Sequence, residues 1–190
     1  MYKNIVLALW LIVAPSVVSA EEVINGEPVK NVEWEQLMPA DFSMDALFEN
    51  SDQLASIDDF DPKAQQLLDE MMAAMQSAPT VPDFDGQMIK IPGYVVPVES
   101  EGTNVTEFFL VPYFGACIHV PPPPSNQIIY VHFEPGTRIE NLYDAVWISG
   151  RLETQTVVND LATSGYRMEA FQIEPYDLWL GYHLAFAFRL

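Results

Sequence analysis

The sequence has 190 residues, with 8 Lys+Arg against 27 Asp+Glu, which gives a formal net charge of −19 at pH 7. Its length allows one domain with a tail, and its hydrophobic content of 49% is sufficient for a packed core and excludes general disorder. The scarcity of Lys and Arg excludes nucleic acid as a partner, because a phosphate backbone requires clustered positive charge.

The first twenty residues have the features of a secretory signal. Lys3 is the only charged residue before Glu21, residues 5–13 are all apolar, and small residues precede Glu21. This arrangement is typical of a signal peptide that is cleaved on export. The apolar run is interrupted at Pro15, whereas a membrane-spanning helix needs roughly 20 apolar residues. We therefore predict export with removal of residues 1–20 and no stable membrane insertion.

The segment 21–82 is acidic and carries most of the helix signal. Asp61 followed by Pro62 is typical of a helix start, and apolar residues then recur every three or four positions up to Met75. These features predict a helix that ends near Ser77. Its methionine-rich stripe is expected to pack on the following domain rather than to bind a metal. We interpret 21–82 as an acidic helical arm that packs on a β-domain.

From residue 83 the pattern changes to short strands separated by Gly and Pro. Strands are predicted at residues 87–98, 105–111, 127–133, 145–152 and 168–173. A helical turn is expected at 157–162, and Gly150 is a candidate bulge. This pattern favours a mainly β protein, in which 83–190 forms a small OB-like Greek-key β-barrel; a small β-sandwich is the alternative.

The C-terminal residues 179–190 end in a strict alternation of apolar and other side chains. This pattern predicts a strand with one apolar face, which we expect to close the core or to pair with a partner at an exposed edge. Terminal strands of membrane barrels look similar. Such barrels need at least eight strands, however, and this chain offers too few.

The most unusual stretch is the proline-rich block around Cys117 and His119. Cys117 is the only cysteine of the chain, so it forms no internal disulfide. In an extended segment Cys117 and His119 point to the same side, and a thiolate beside an imidazole suits Zn²⁺ or Cu⁺. Four prolines follow and stiffen the segment. The block is therefore a candidate metal site, and a buried structural cysteine is the alternative.

Further ligands would have to come from another strand. His132 and Glu134 are two residues apart on the third predicted strand, so both would point to one face and complete a Cys-His-His-Glu set. Asn126 and Gln127 are candidates for hydrogen bonds to the ligands. A cysteine nucleophile with a histidine base is a distant third interpretation, since the proline-rich acidic context does not lower a thiol pKa.

The block from Tyr113 to Gln127 resembles the bacterial envelope family DUF3299. The resemblance extends through Ile91–Pro97, back to Trp34 and forward to Tyr176, and it includes Tyr113, Glu107, Asn126 and Gln127 as candidate binding residues. Members look like exported proteins that are often encoded beside envelope ABC transporters, sometimes in zinc-responsive gene clusters. The family has no established activity, and residues 179–190 lie outside the resemblance.

The resemblance implies a non-enzymatic periplasmic accessory protein. Together with Cys117 and His119 it favours zinc as a cofactor and a component of an envelope ABC transporter, or another periplasmic protein, as a partner. The alternative is a metal-free interaction module, in which the proline block and the C-terminal strand hold the partner. Neither the metal, the partner nor the oligomeric state follows from the residues.

Overall fold

The computed structural model describes residues 22–43, 61–98, 104–116, 122–138 and 145–176. One α-helix, α1, spans Pro62–Gln76, and short 3₁₀ turns span Trp34–Leu37, Pro82–Phe84 and Ser125–Gln127. The strands are β1 (Val23–Ile24), β2 (Glu27–Pro28), β3 (Lys30–Asn31), β4 (Met88–Pro97), β5 (Asn104–Val111), β6 (Ile129–Arg138), β7 (Ala145–Glu153), β8 (Val157–Val158), β9 (Thr163–Ser164) and β10 (Tyr166–Pro175).

Five long strands close into a barrel. Their order is β4-β5-β6-β10-β7, and β7 pairs again with β4. All these pairs are antiparallel except β6 with β10, which run parallel. This order is that of an OB-like Greek-key barrel, so the predicted fold is confirmed and the β-sandwich alternative is wrong.

The barrel interior is filled by alternate residues of the five strands. Ile89 and Ile91 on β4, Phe108 on β5, Val131 on β6 and Ile148 on β7 are all fully buried. Alternation places such residues on one face, and closure turns that face inward. A strand of the barrel therefore needs only every second residue to be apolar in order to fill the interior.

The strands β7 and β10 approach each other closely at Gly150. A Cβ atom at this position would lie 2.5 Å from the Glu169 backbone oxygen. The register shifts between Ala170 and Gln172, opposite Gly150, so the irregularity expected at Gly150 lies on the partner strand. Phe171 is the extra residue of this bulge.

Of the segment before the barrel, the structure describes residues 22–43, which form short strands and a 3₁₀ turn, and residues from 61 onward, which begin with α1. β3 pairs in parallel with β4 and so adds a strand to the barrel sheet, while Trp34 and Leu37 are buried in the core. Helix α1 begins as predicted: the Asp61 carboxylate accepts a hydrogen bond from the Lys63 amide at 2.9 Å.

The apolar stripe of α1 is less buried than expected. Ala64 is buried, Met71 and Met75 are partly exposed, and Leu68 and Met72 are 45% and 38% exposed. The helix is thus not a full core element in the way that its periodicity predicts. No helix among the described residues is long and apolar enough to cross a membrane.

The predicted helical turn at 157–162 is wrong. Val157 and Val158 pair with Ser164 and Thr163 in a two-stranded hairpin, β8–β9. The Asn159 side chain accepts a hydrogen bond from the Leu161 amide at 3.0 Å, which stabilises the turn. Two adjacent valines followed by Asn-Asp are a hairpin signal that helical spacing obscured.

Gly150→Val tests the close approach of β7 and β10. Strand propensity alone would favour valine by up to about 1 kcal/mol. The clash with the Glu169 backbone instead predicts a free energy of unfolding lower by about 2–3 kcal/mol, measured by urea denaturation. Gly150→Ala should show a smaller loss. A variant as stable as the parent would contradict the tight contact.

Lys90 on β4 forms ion pairs with two carboxylates, Glu22 of the N-terminal segment and Glu174 on β10. Its Nζ lies 2.9 Å from Glu22 and 2.7 Å from Glu174. Burial lowers the pKa of Lys90, but the hydrogen bonds to Glu174 and Glu22 outweigh burial, so this pKa lies above its usual value. The hydrogen bond from Lys90 holds the pKa of Glu174 below its usual value.

These shifts set the direction of a pH dependence. Because the pKa of Glu174 is depressed, its pairing stabilises the fold above the usual carboxyl value of about 4.3 and is lost as pH falls through the lower folded value. Since both carboxylates are more than a third exposed, the pairing amounts to about 1 kcal/mol or less.

Lys90→Met tests this pairing. The difference in unfolding free energy between parent and Lys90→Met should shrink by about 1 kcal/mol or less from pH 7 to about pH 3, measured by denaturation at each pH. Lys63→Met is the control, because Lys63 forms no ion pair within the described ranges. A difference that is constant with pH would contradict the pairing.

Candidate functional site

The cysteine-histidine block belongs to the connection between β5 and β6. Cys117 and His119 lie outside the described residues, as do the remaining residues of 117–121. The chain is described on both sides of this stretch. Ala116 is fully buried before it, and Pro123 and Pro124 are buried after it. Both flanks of the block are therefore anchored in the packed part of the molecule.

Two polar side chains at the end of the block bind the N-terminal part of the chain. The Asn126 amide donates to the Pro79 carbonyl at 2.9 Å, and the Gln127 amide donates to the Trp34 carbonyl at the same distance. Asn126 is fully buried and Gln127 is 9% exposed. Each hydrogen bond satisfies a backbone acceptor that packing has removed from water. The described contacts of both residues thus serve the architecture.

Tyr166 makes the same kind of connection from the start of β10. Its hydroxyl accepts a hydrogen bond from the Val81 amide at 2.7 Å and donates one to the Leu37 carbonyl at 2.9 Å. Burial raises the pKa of Tyr166, so the hydroxyl is protonated at neutral pH and can donate. Sequence reasoning missed this residue, because nothing local marks a tyrosine that joins two distant segments.

Two buried polar atoms near the block have no hydrogen-bond partner within the described residues. They are Asn126 Oδ1 and Ser164 Oγ. Strand β9, which contains Ser164, contacts the 3₁₀ turn that contains Asn126. A buried acceptor without a partner costs about 1–3 kcal/mol, so such atoms call for an explanation. Asn126 is therefore the described residue that best fits a role beside the block.

His132 points to the outside of the barrel among carboxylates. Its Nδ1 lies 3.0 Å from both carboxylate oxygens of Glu169, which is the residue beside it on β10. Its Nε2 lies 3.6 Å from Glu134, so the predicted shared face of His132 and Glu134 is confirmed. Glu107 is opposite His132 on β5, and Arg167 lies 3.6 Å from Glu169.

This cluster does not form a metal site by itself. Within the described ranges, no group of three or more His, Cys, Asp or Glu side chains is arranged to hold a metal ion. Glu134 is 88% exposed and Arg167 neutralises part of the negative charge. Sequence reasoning missed Glu169, because its position beside His132 follows from the parallel pairing of β6 and β10.

A second apolar cluster covers part of the outside of the barrel. Phe109 and Val111 on β5 are fully buried although they point away from the interior, and they pack with Ala116, Ile128 and Ala162. Tyr113, which follows β5, is 45% exposed. Both faces of β5 are therefore apolar at its end, where the residues from Phe108 to Val111 are all buried.

A groove lies between helix α1, the prolines of the block and the β8–β9 hairpin. Its volume is about 360 Å³. Its apolar lining consists chiefly of Met72, Met75, Pro122, Pro123, Val158 and Leu161. We call it the α1–hairpin groove. It was not predicted, because three elements distant in sequence form it.

Tyr166→Phe tests the connection between barrel and N-terminal segment. Losing the hydroxyl leaves the Val81 amide and the Leu37 carbonyl without this partner at nearly unchanged volume. The free energy of unfolding should therefore fall by about 1–3 kcal/mol. In hydrogen exchange, the Val81 amide should lose protection. Tyr176→Phe is the control and should stay within about 0.5 kcal/mol of the parent; equal effects of both variants would contradict the role of Tyr166.

Comparisons with known proteins place this architecture in a family. The model of DUF3299, a family of proteins of unknown function, matches residues 34–175. A crystal structure of a DUF3299 family protein from Pseudomonas aeruginosa PAO1 is similar, with 37% sequence identity and a TM-score of 0.60. The match covers 80% of this chain and 98% of that chain. No curated protein matches.

Two OBody proteins, AM3L09 and AM3L15, each solved bound to hen egg-white lysozyme, show a weaker similarity. Their sequence identities are 15% and 16%, and their TM-scores are 0.32 and 0.31. The matches cover 50% and 51% of this chain and 87% and 82% of theirs, which is too weak to support an argument. The DUF3299 match spans most of the sequence and nearly all of the described barrel, and this chain therefore belongs to the DUF3299 family.

Proposed function

We propose that this protein is an exported, non-enzymatic accessory protein of the periplasm that binds zinc through Cys117 and His119. It works with a component of an envelope ABC transporter or with another periplasmic protein. Export rests on the signal-like residues 1–20, and the link to transporters rests on the family resemblance. The metal rests on the chemistry of a thiolate beside an imidazole.

The observation that carries the metal proposal is the environment of the block. Ala116 and Pro123 are buried on its two sides, so both ends of a short stretch are held in place. Asn126 Oδ1 is buried without a partner in the described chain. It is a suitable acceptor for the ring N–H of a histidine ligand, and such hydrogen bonds orient imidazoles at metal sites.

His132 and Glu134 are the weaker members of the proposed ligand set. Glu169 at 3.0 Å from Nδ1 leaves only Nε2 of His132 for a metal, and Glu134 on that side is 88% exposed. No group of three or more ligating side chains is found around them within the described ranges. Cys117 and His119 are then the pair on which binding depends. Zinc requires four ligands in a structural site, so water or a partner's side chain supplies the remainder.

A second candidate function is a metal-free interaction module. The observation that favours it is that the amides of Asn126 and Gln127 hold the N-terminal segment, so that the described end of the block serves packing. The α1–hairpin groove then offers a surface for a protein partner. Under this hypothesis Cys117 is a buried small side chain.

Zinc titration of mature protein purified without an affinity tag tests the first function. We expect about one zinc per chain, lost in the double variant Cys117→Ala/His119→Ala and retained in His132→Ala. Binding can be followed by calorimetry and by metal analysis after dialysis. Unchanged binding in the double variant would remove the assignment of these ligands.

Thiol labelling distinguishes the two functions, because Cys117 is the only thiol. Bound zinc should slow the reaction with a thiol reagent, and a chelator should restore it. A thiol that resists the reagent until denaturation, with or without chelator, would favour the metal-free module.

A further inference from the structure

The α1–hairpin groove collects apolar side chains that the fold leaves in contact with water. Val158 is 76% exposed, Leu161 44% and Met72 38%, and Leu68 on the preceding turn of α1 is 45% exposed. Single exposed apolar residues are normal on a monomer, but Val158, Leu161 and Met72 all line one concave surface. Helix, proline and hairpin thus form a site of the kind that accepts apolar side chains of a partner.

The lining of the groove favours flexible recognition. Two of its lining residues are Met72 and Met75, which adapt their shape to different side chains. The lining also contains Pro122 and Pro123, which are rigid and lack a backbone donor. A surface that combines adaptable and rigid residues can admit side chains of a helix, such as leucines at every third or fourth position.

Charge determines the kind of partner. Among the described residues that line the groove, Asp160 is the only charged one, and none is Lys, Arg or His. Helix α1 ends at Gln76 beside the groove and has no basic residue in its last turn, so this end of the helix contributes partial negative charge. Asp69 and Glu70 on the same helix are exposed. These charges attract cations and repel anions.

We propose that the α1–hairpin groove binds an amphipathic segment of another protein whose apolar side chains are flanked by Lys or Arg. The proposal rests on the interaction function above and does not depend on zinc. A second copy of this chain is a poor occupant, because each copy has a formal net charge of −19. The described residues that line the groove also include none of the cations that a nucleic acid or an anionic lipid would require.

A pair of synthetic peptides tests the proposal on the mature chain. One peptide, of about 14 residues, carries leucine at every third or fourth position and lysine elsewhere; the other has glutamate in place of lysine. Fluorescence anisotropy measures both affinities. We expect the lysine peptide to bind at least tenfold more tightly than the glutamate peptide, with the difference decreasing from about 0.05 to about 0.5 M salt.

Neutral variants locate the binding surface. Val158→Thr/Leu161→Asn removes apolar contact without adding charge and should weaken binding of the lysine peptide by about tenfold or more. Val23→Thr is the matched control, since Val23 is 58% exposed on β1 and does not line the groove; it should leave affinity within about twofold. Asp160→Asn should weaken binding of the lysine peptide alone.

Each contrary result has a defined meaning. Absence of binding, equal affinity for the two peptides, or equal effects at Val158 and Val23 would overturn the proposed partner. A dimer in sedimentation that Val158→Thr/Leu161→Asn abolishes would identify a second copy as the occupant and overturn it as well. Zinc binding should be the same in these variants and the parent, so failure of the groove is distinguishable from failure of the metal site.

Discussion

The change of pairing partner along β4 is the constraint on which barrel closure depends. β4 pairs with β7 from Met88 to Tyr94 and with β5 from Tyr94 to Pro97, so one strand links both edges of the sheet. A Cβ atom at Gly93 would lie 2.7 Å from the Leu110 side chain, so only glycine allows this approach. The Pro92 carbonyl accepts a hydrogen bond from the Trp34 indole at 2.7 Å. The middle of β4 therefore takes part in barrel closure and also anchors the N-terminal segment.

The N-terminal segment is held to the barrel by its buried side chains and by hydrogen bonds to its backbone. Side chains of the barrel domain, Gln127 and Tyr166, bind its carbonyl groups at Trp34 and Leu37. Detachment would break these hydrogen bonds and expose the buried side chains of Trp34 and Leu37 to water, so segment and barrel are expected to unfold together. This also explains why the family match begins at Trp34, well before the first strand of the barrel.

The sequence allowed the main strands and α1 to be predicted, because each depends on local signals. Short strand-forming stretches separated by Gly and Pro marked β4 and β5, and Asp61 followed by Pro62 marked the start of α1. Long-range contacts had no such signal. The pairing of His132 with Glu169 arises from the parallel register of β6 and β10, and the groove arises where α1, the prolines and the hairpin meet. At the candidate site, the sequence identified residue types, and the fold determined which of them have partners.

The proline block connects the two proposed activities physically. Pro122 and Pro123 line the groove. Only Val120 and Pro121 separate them from His119 along the chain. A partner in the groove would therefore contact the stiff segment that continues from the proposed ligands. If zinc and partner each favour one arrangement of this segment, thermodynamic linkage requires that each changes the affinity of the other by the same factor. An accessory protein built in this way would release or retain its metal according to whether its partner is bound.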